Sequence, residues 1–286
     1  MTDWSDRVAV ITGAASGIGA GLAGACAERG MHVVAADVDR ASLESVGSRI
    51  EGGAASVRTV VTDVSSAEAV DALAAEAFSL RGAVNLLFNN AGVLVDGKSW
   101  ERPVESWRWS IDVNLMGVVH GIRSFVPRML EQDEAGRVVN TASVGGLVGG
   151  GTFMGPYQAT KHAVVALSEV LFAELALEPA PITASVLCPG DVATGIWESD
   201  RLRPTEQRNE LGSRAEAAFH DLVAGNVAQG LDPAEFASRV FEGIEADKFW
   251  ILPQPGFKPM YEIRAKGVLE ETNPPSTSEM LEFTTR

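Results

Sequence analysis

Tyr157 and Lys161 stand four residues apart, in Tyr157-Gln158-Ala159-Thr160-Lys161, at the start of a strongly helical stretch. On a helix that spacing puts both side chains on one face. A phenol with its ordinary pKa near 10 is a poor base at neutral pH unless a nearby cation stabilises the phenolate, and each unit of lowering corresponds to about 1.4 kcal/mol. An ammonium group one helical turn away is such a cation, so this pair can pass a proton. In isolation the same two residues read better as part of an amphipathic surface; neighbouring motifs give them chemistry.

A second cluster lies near the start of the chain. Thr12-Gly13-Ala14-Ala15-Ser16-Gly17-Ile18-Gly19 follows a short apolar run and opens a helical segment. Glycines let the backbone turn sharply and approach a pyrophosphate closely, while the free N–H groups of a helix start stabilise its charge. Three glycines alone also fit an ordinary turn. Asp37 ends the run Val33-Val34-Ala35-Ala36-Asp37, 24 residues after Gly13, where an acid can accept hydrogen bonds from an adenosine ribose and repel a 2′-phosphate. Ala14, Ala15 and Val38 offer such a phosphate no cation, so NAD is the expected cofactor rather than NADP; Arg40 argues the other way. A solvated acid in a strand-to-helix turn is the plainer alternative for Asp37.

These groups need a scaffold, and the apolar runs supply one. Val8 to Ile11, Val33 to Ala36, Val57 to Val61, Leu86 to Phe88, Val138 to Val139, Ile182 to Leu187 and Phe249 to Leu252 are continuous rather than alternating, as in strands buried on both faces. Helical stretches separate them, at about Gly17 to Arg29, Ala41 to Ile50, Ala67 to Leu80, Val104 to Glu131, Tyr157 to Glu178 and Pro233 to Ala246. Right-handed crossovers then predict an α/β fold of Rossmann type, a doubly wound seven-stranded parallel sheet with helices on both faces and ligands at the carboxyl ends of the strands. One domain over residues 1–286 is expected, its core about 7–252. Residues 191–226, charged and partly helical, read as a substrate lid. Residues 253–286, rich in proline, form a C-terminal extension whose last dozen residues are expected to be disordered.

Composition narrows the class further. A formal charge of -15 disfavours nucleic acid as a partner, and the 46% hydrophobic fraction is ordinary for a packed protein. Cys26 and Cys188 show no metal-ligand or disulfide spacing, and no metal site is expected from them or from His32, His120, His162 and His220. None of the histidines is assigned to catalysis. The acidic first residues reach a strand too soon for a signal peptide, and the weakly polar stretch Val138 to Gly155 is broken by Asn140, Thr141, Ser143 and glycines. A cytoplasmic protein with no membrane contact is the expectation.

Taken in order along the chain, the motifs resemble those of the short-chain dehydrogenase/reductase family from Arg7 to about Leu252. They are the loop Thr12 to Gly19, Asp63-Val64, Asn89-Asn90-Ala91-Gly92, Ser143 with Tyr157 and Lys161, and Pro189-Gly190 followed by Val192 and Thr194. The resemblance implies that Gly13, Ser16, Gly17, Ile18 and Gly19 hold the pyrophosphate, Asp37 the ribose, and Asp63 and Val64 the adenine. It further implies that Asn90, Ala91 and Gly92 line the cofactor path, with Pro189, Gly190, Val192 and Thr194 near the nicotinamide. Tyr157 would be the acid/base, Lys161 would lower its pKa while holding the nicotinamide ribose, Ser143 would bond the substrate oxygen, and Asn114 would anchor a water in the proton path. Oxidation of an alcohol needs such a base at the oxygen while hydride leaves the carbon. Two departures stand out. The Ser143–Tyr157 interval is one residue longer than the family pattern, filled by the glycine-rich Gly145 to Gly151, and Asp191 puts a carboxylate among the nicotinamide-side residues, where solvent exposure is the expected fate.

Leu147, Val148, Phe153, Met154, Ile196 and Trp197 are the expected substrate-pocket residues, which suits a hydrophobic secondary alcohol or ketone. The resemblance also implies a homo-oligomer, a tetramer or dimer, built on the helices Val104 to Glu131 and Tyr157 to Glu178. Two competing readings remain open here: an NADPH-linked ketoreductase that uses Arg40, and a nucleotide-sensing protein without turnover.

Overall fold

The computed structural model describes residues 3–203, 205–208 and 212–274. Strand β1 (Val8–Thr12) is buried at every position, because its neighbours on both sides are strands and both its faces are covered. β2 (His32–Asp37), β3 (Ser56–Val61), β4 (Leu86–Asn89), β5 (Gly136–Thr141), β6 (Ile182–Leu187) and β7 (Trp250–Ile251) complete a parallel sheet in the order β3-β2-β1-β4-β5-β6-β7. The order reverses between β1 and β4. At such a switch point the crossovers leave to opposite faces, and a crevice opens at the carboxyl ends of the two strands.

Side chains alternate across the sheet and meet two layers of helices. Ala9 and Ile11 pack with Leu22 of α1 (Gly17–Glu28), Leu43 of α2 (Arg40–Ile50) and Phe236 and Phe241 of α8 (Pro233–Glu245). Val8 and Val10 face the other way, with Leu73 of α3 (Ala67–Arg81), Phe125 and Met129 of α5 (Gly117–Leu130), and Leu171 of α6 (Gly155–Leu175). The expected fold class is the observed one.

Three local features differ from the sequence reading. The helix expected over Val104 to Glu131 is α4 (Val104–Ile111) and α5 joined by a π-helical turn, Asp112–Met116, which carries the buried Asn114. β7 is two residues long rather than four. The extension after Leu252 forms α9 (Lys258–Leu269), with proline in its first turn, where the missing N–H costs no helical bond. The 191–226 segment holds a 3₁₀ stretch at Ile196–Leu202 and α7 (Arg214–Ala228), capped by Ser213. The disorder expected of the last dozen residues falls outside the described residues. Among the described residues, no helix is long and apolar enough to cross a membrane.

Candidate active site

A cleft of about 580 Å³ runs along the carboxyl edge of the sheet, from the loop after β1 to the start of α6. Its first wall is the glycine-rich loop. Gly13 adopts φ +68°, and a Cβ there would lie 2.8 Å from the Ala91 Cα, so only glycine lets the loops after β1 and β4 meet. Gly19 sits tighter still: a Cβ would lie 2.0 Å from the Gly13 carbonyl oxygen. Gly19→Ala is therefore expected to push α1 off the loop and lower the thermal midpoint by several degrees, since overpacking costs about 1–3 kcal/mol. An unchanged midpoint in thermal unfolding contradicts this.

α1 begins with no side-chain cap and no acidic residue in its first turn, whereas Asp39, Ser66, Ser213 and Asp232 cap α2, α3, α7 and α8. Ser16, Gly17, Ile18 and Gly19 line the cleft at that start. The positive helix end and its orphan N–H groups thus border the crevice, an arrangement suited to an anion. Asp37 closes the same end. Its two carboxylate oxygens accept from the Ala15 and Asp39 N–H groups, each at 3.0 Å, and its remaining lone pairs border the cleft. Thr12 ties the loops together: its hydroxyl oxygen accepts from Asn90 N at 2.9 Å and Ala91 N at 3.1 Å, while the Asn90 amide donates to Thr12 O at 2.9 Å.

The other end holds the titratable groups. Ser143 follows β5, and its hydroxyl oxygen accepts from Gly145 N at 3.0 Å. Tyr157 and Lys161, both buried, project from the first turns of α6 into the cleft with Ser143. The Lys161 ammonium donates to Thr141 O at 2.9 Å and lies 5.8 Å from the centre of the Tyr157 ring. Burial lowers the Lys161 pKa to about 8. Burial also holds the Tyr157 phenol above its ordinary value, opposed by the Ser143 hydroxyl and reinforced by Cys188 and Asp191. Desolvation dominates here, and the phenol keeps its proton.

All the residues expected at the cofactor line this cleft: Asp63 and Val64, Asn90 to Gly92, and Pro189, Gly190, Val192 and Thr194 join the loop and Asp37. Asn114 does not. It is fully buried, with its side chain bonded to Val93 N at 2.8 Å, Val93 O at 2.9 Å and the Thr160 hydroxyl at 3.1 Å. Gly92 separates it from the cleft: a Cβ there would lie 3.4 Å from the Asn114 carbonyl oxygen and 3.3 Å from the Lys161 Nζ. No histidine lines the cleft, and no cluster of three metal-ligating side chains occurs among the described residues.

Of the six expected pocket residues, Val148, Met154, Ile196 and Trp197 line the cleft. Leu147 and Phe153 are corrections. Leu147 turns inward against the Val118, Val164 and Val186 cluster, and Phe153, at φ +62°, meets Phe219 edge-on at 5.6 Å between ring centres. Trp109 of α4, Phe219 and Val223 of α7 and Met260 of α9 are wall residues the sequence reading missed. The Phe219, Val223, Val227 spacing was a usable signal, since four-residue steps mark one helix face. Asp191 is a further correction: it is partly buried, lines the cleft, and has its pKa raised by that burial.

The family described as short chain dehydrogenase matches residues 7–204. The chain is 31% identical over 278 residues to a CLA biosynthesis dehydrogenase/reductase of Lactiplantibacillus plantarum, covering 96% of this chain and 97% of that one. It is 40% identical over 233 residues to a 1-deoxy-11-beta-hydroxypentalenate dehydrogenase of Streptomyces exfoliatus, covering 80% and 81%. Among solved structures, a short chain dehydrogenase/reductase from Burkholderia phymatum in complex with NAD superposes with a TM-score of 0.92 at 41% identity, covering 96% of this chain and 99% of the other. The chain belongs to the short-chain dehydrogenase family.

Proposed function

We propose that the protein is an NAD-dependent oxidoreductase that interconverts a hydrophobic secondary alcohol and its ketone. The observation that carries this reading is one continuous cleft joining the uncapped start of α1 to Ser143, Tyr157 and Lys161. The residues fit a dinucleotide. Gly13, Ser16, Gly17, Ile18 and Gly19 suit the pyrophosphate, because the tight loop exposes N–H groups to it. Asp37 suits the adenosine ribose, Asp63 and Val64 the adenine, and Asn90, Ala91 and Gly92 the path between. Pro189, Gly190, Val192 and Thr194 suit the nicotinamide end.

When bound, the nicotinamide supplies the hydride acceptor or donor. The protein's own part is the proton. For ketone reduction Tyr157, whose burial further favours the protonated form, delivers its hydroxyl proton to the carbonyl oxygen as the new C–H bond forms; for oxidation it receives the alcohol proton. Ser143 accepts from Gly145, and its own hydrogen, held only by a 3.5 Å bond to the Pro189 carbonyl, can turn to the substrate oxygen. Lys161, anchored on Thr141, opposes the phenolate charge and offers further N–H groups to the nicotinamide ribose. Asn114 holds the Val93 backbone and Thr160 in register with Lys161.

The choice of NAD over NADP rests on Asp37, and the relative from Burkholderia phymatum, which is in complex with NAD, supports it. Arg40 lies exposed and paired with Glu44 at 3.8 Å. Titration of both dinucleotides is expected to give NAD at least tenfold tighter binding, with Asp37→Ala narrowing the gap. Tighter NADP binding contradicts the assignment. Residues 191–226 serve as the substrate lid in this reading, since Ile196, Trp197 and Phe219 roof the pocket. Exposed Val170 and Phe172 of α6 and Trp250 of β7 support assembly into a homo-oligomer, a tetramer or dimer.

A further inference from the structure

Asp191 follows Pro189-Gly190 at the carboxyl end of β6, and its backbone is gripped from two sides. Its carbonyl accepts from Leu231 N at 3.0 Å and from the Gln254 side-chain amide, whose oxygen in turn accepts from Gly190 N at 2.8 Å. Gly230 packs so closely that a Cβ there would lie 2.5 Å from the Asp191 carbonyl carbon. Asp191 thus lines the cleft on a rigid support. Yet no hydrogen bond or ion pair reaches it among the described residues, and burial raises its pKa with no cation opposing. Other carboxylates at this end of the sheet are partnered: Asp37 by two N–H groups and Asp96 by His220 at 2.7 Å.

A partly desolvated acceptor without a partner is costly, and it becomes more so when substrate displaces the remaining water. Around it the pocket is apolar, lined by Val148, Met154, Ile196 and Trp197. Pro189, two residues before Asp191, holds its carbonyl oxygen 3.5 Å from the Ser143 hydroxyl, which puts this turn beside the reacting groups in the same cleft. We propose that Asp191 determines specificity by accepting a hydrogen bond from a second donor on the substrate, a hydroxyl or a protonated amine close to the carbinol carbon. The proposal rests on the oxidoreductase reading above. A substrate lacking the donor leaves the carboxylate unpaired, and one carrying a carboxylate or phosphate there is repelled.

The test compares matched apolar secondary alcohols that differ only beside the carbinol: a plain alcohol, its vicinal diol, its amino alcohol and its hydroxy acid. Wild-type kcat/KM is expected to favour the diol or the amino alcohol over the plain alcohol by about tenfold or more. Asp191→Leu is expected to erase that ratio. Asp191→Asn separates the sources: it keeps an oxygen acceptor for a hydroxyl but loses the charge that holds an ammonium, so the surviving ratio identifies the donor. A wild-type ratio near one, a preference for the hydroxy acid, or a ratio untouched by Asp191→Leu overturns the proposal while leaving the oxidoreductase reading standing. Turnover of none of the four, nor of any other secondary alcohol or ketone, sinks that reading instead.

Discussion

Replacing Tyr157 with Phe is expected to lower kcat/KM by about 10²- to 10⁴-fold, the range a positioned acid/base contributes. The substitution removes one oxygen and keeps the ring, which is buried at the start of α6 and packed beside Gly145. Little cavity opens, so the thermal midpoint should stay close to the wild-type value. Dinucleotide affinity should fall by no more than about tenfold, because at most one hydrogen bond is lost. Ser143 remains, yet its hydroxyl accepts from Gly145 and lies 3.5 Å from the Pro189 carbonyl, an acceptor too weakly basic to take over proton transfer. Steady-state kinetics with a cofactor titration on the same preparation separate the two effects. Retention of more than a tenth of wild-type kcat/KM contradicts the role assigned to the phenol.

Lys161→Met makes the second large prediction, and its two consequences have opposite signs. The folded-state pKa, about 8, lies below the ordinary value of 10.5, so burial disfavours the charged form. Below pH 8 both folded and unfolded chains carry the proton, and the full cost, about 3 kcal/mol, weighs against folding. Between pH 8 and 10.5 the unfolded chain binds more protons than the folded one, so this group's effect on stability becomes more favourable as pH rises through that window. Methionine removes the charge and fills similar space, at the loss of the bond to Thr141 O, about 1–2 kcal/mol. The cofactor-free variant at pH 7 is expected to melt a few degrees higher than wild type. Its rise in stability from pH 8 upward should be weaker. Turnover should nevertheless drop by about 10²-fold or more, as the phenolate loses its cation and the ribose its anchor. A variant that is both less stable and fully active contradicts the account.

Much of the scaffold was legible in the chain because parallel strands leave a local mark. Val8 to Ile11 and Leu86 to Phe88 are apolar at every position since both faces are covered, and that pattern needs no knowledge of what covers them. Gly13 and Gly19 were legible for a related reason: backbone approaches under 3 Å exclude every other residue. The rest depended on contacts distant in sequence. The π-helical turn at Asn114 has no local signature; the side chain it carries is bonded to Val93, 21 residues away. Phe153 belonged on paper to the pocket, and its left-handed backbone sends it to Phe219 of α7 instead. The prolines after Leu252 gave no sign of a helix, yet Pro259 sits in the first turn of α9, whose Met260 reaches the cleft. Asp191 was expected in water because a carboxylate is usually hydrated; only the packing of Gly230 and Gln254 against its backbone draws it in.

The central claim is that this cleft moves hydride between a carbinol carbon and a nicotinamide while Tyr157 handles the proton. A secondary alcohol deuterated at the carbinol carbon, incubated with NAD and the protein, tests it most directly. The account predicts deuterium on the reduced nicotinamide, a slower kcat/KM for the labelled alcohol, and no label transfer above background with Tyr157→Phe over the same interval. Reduced cofactor without the label, or equal transfer by the Phe variant, contradicts it.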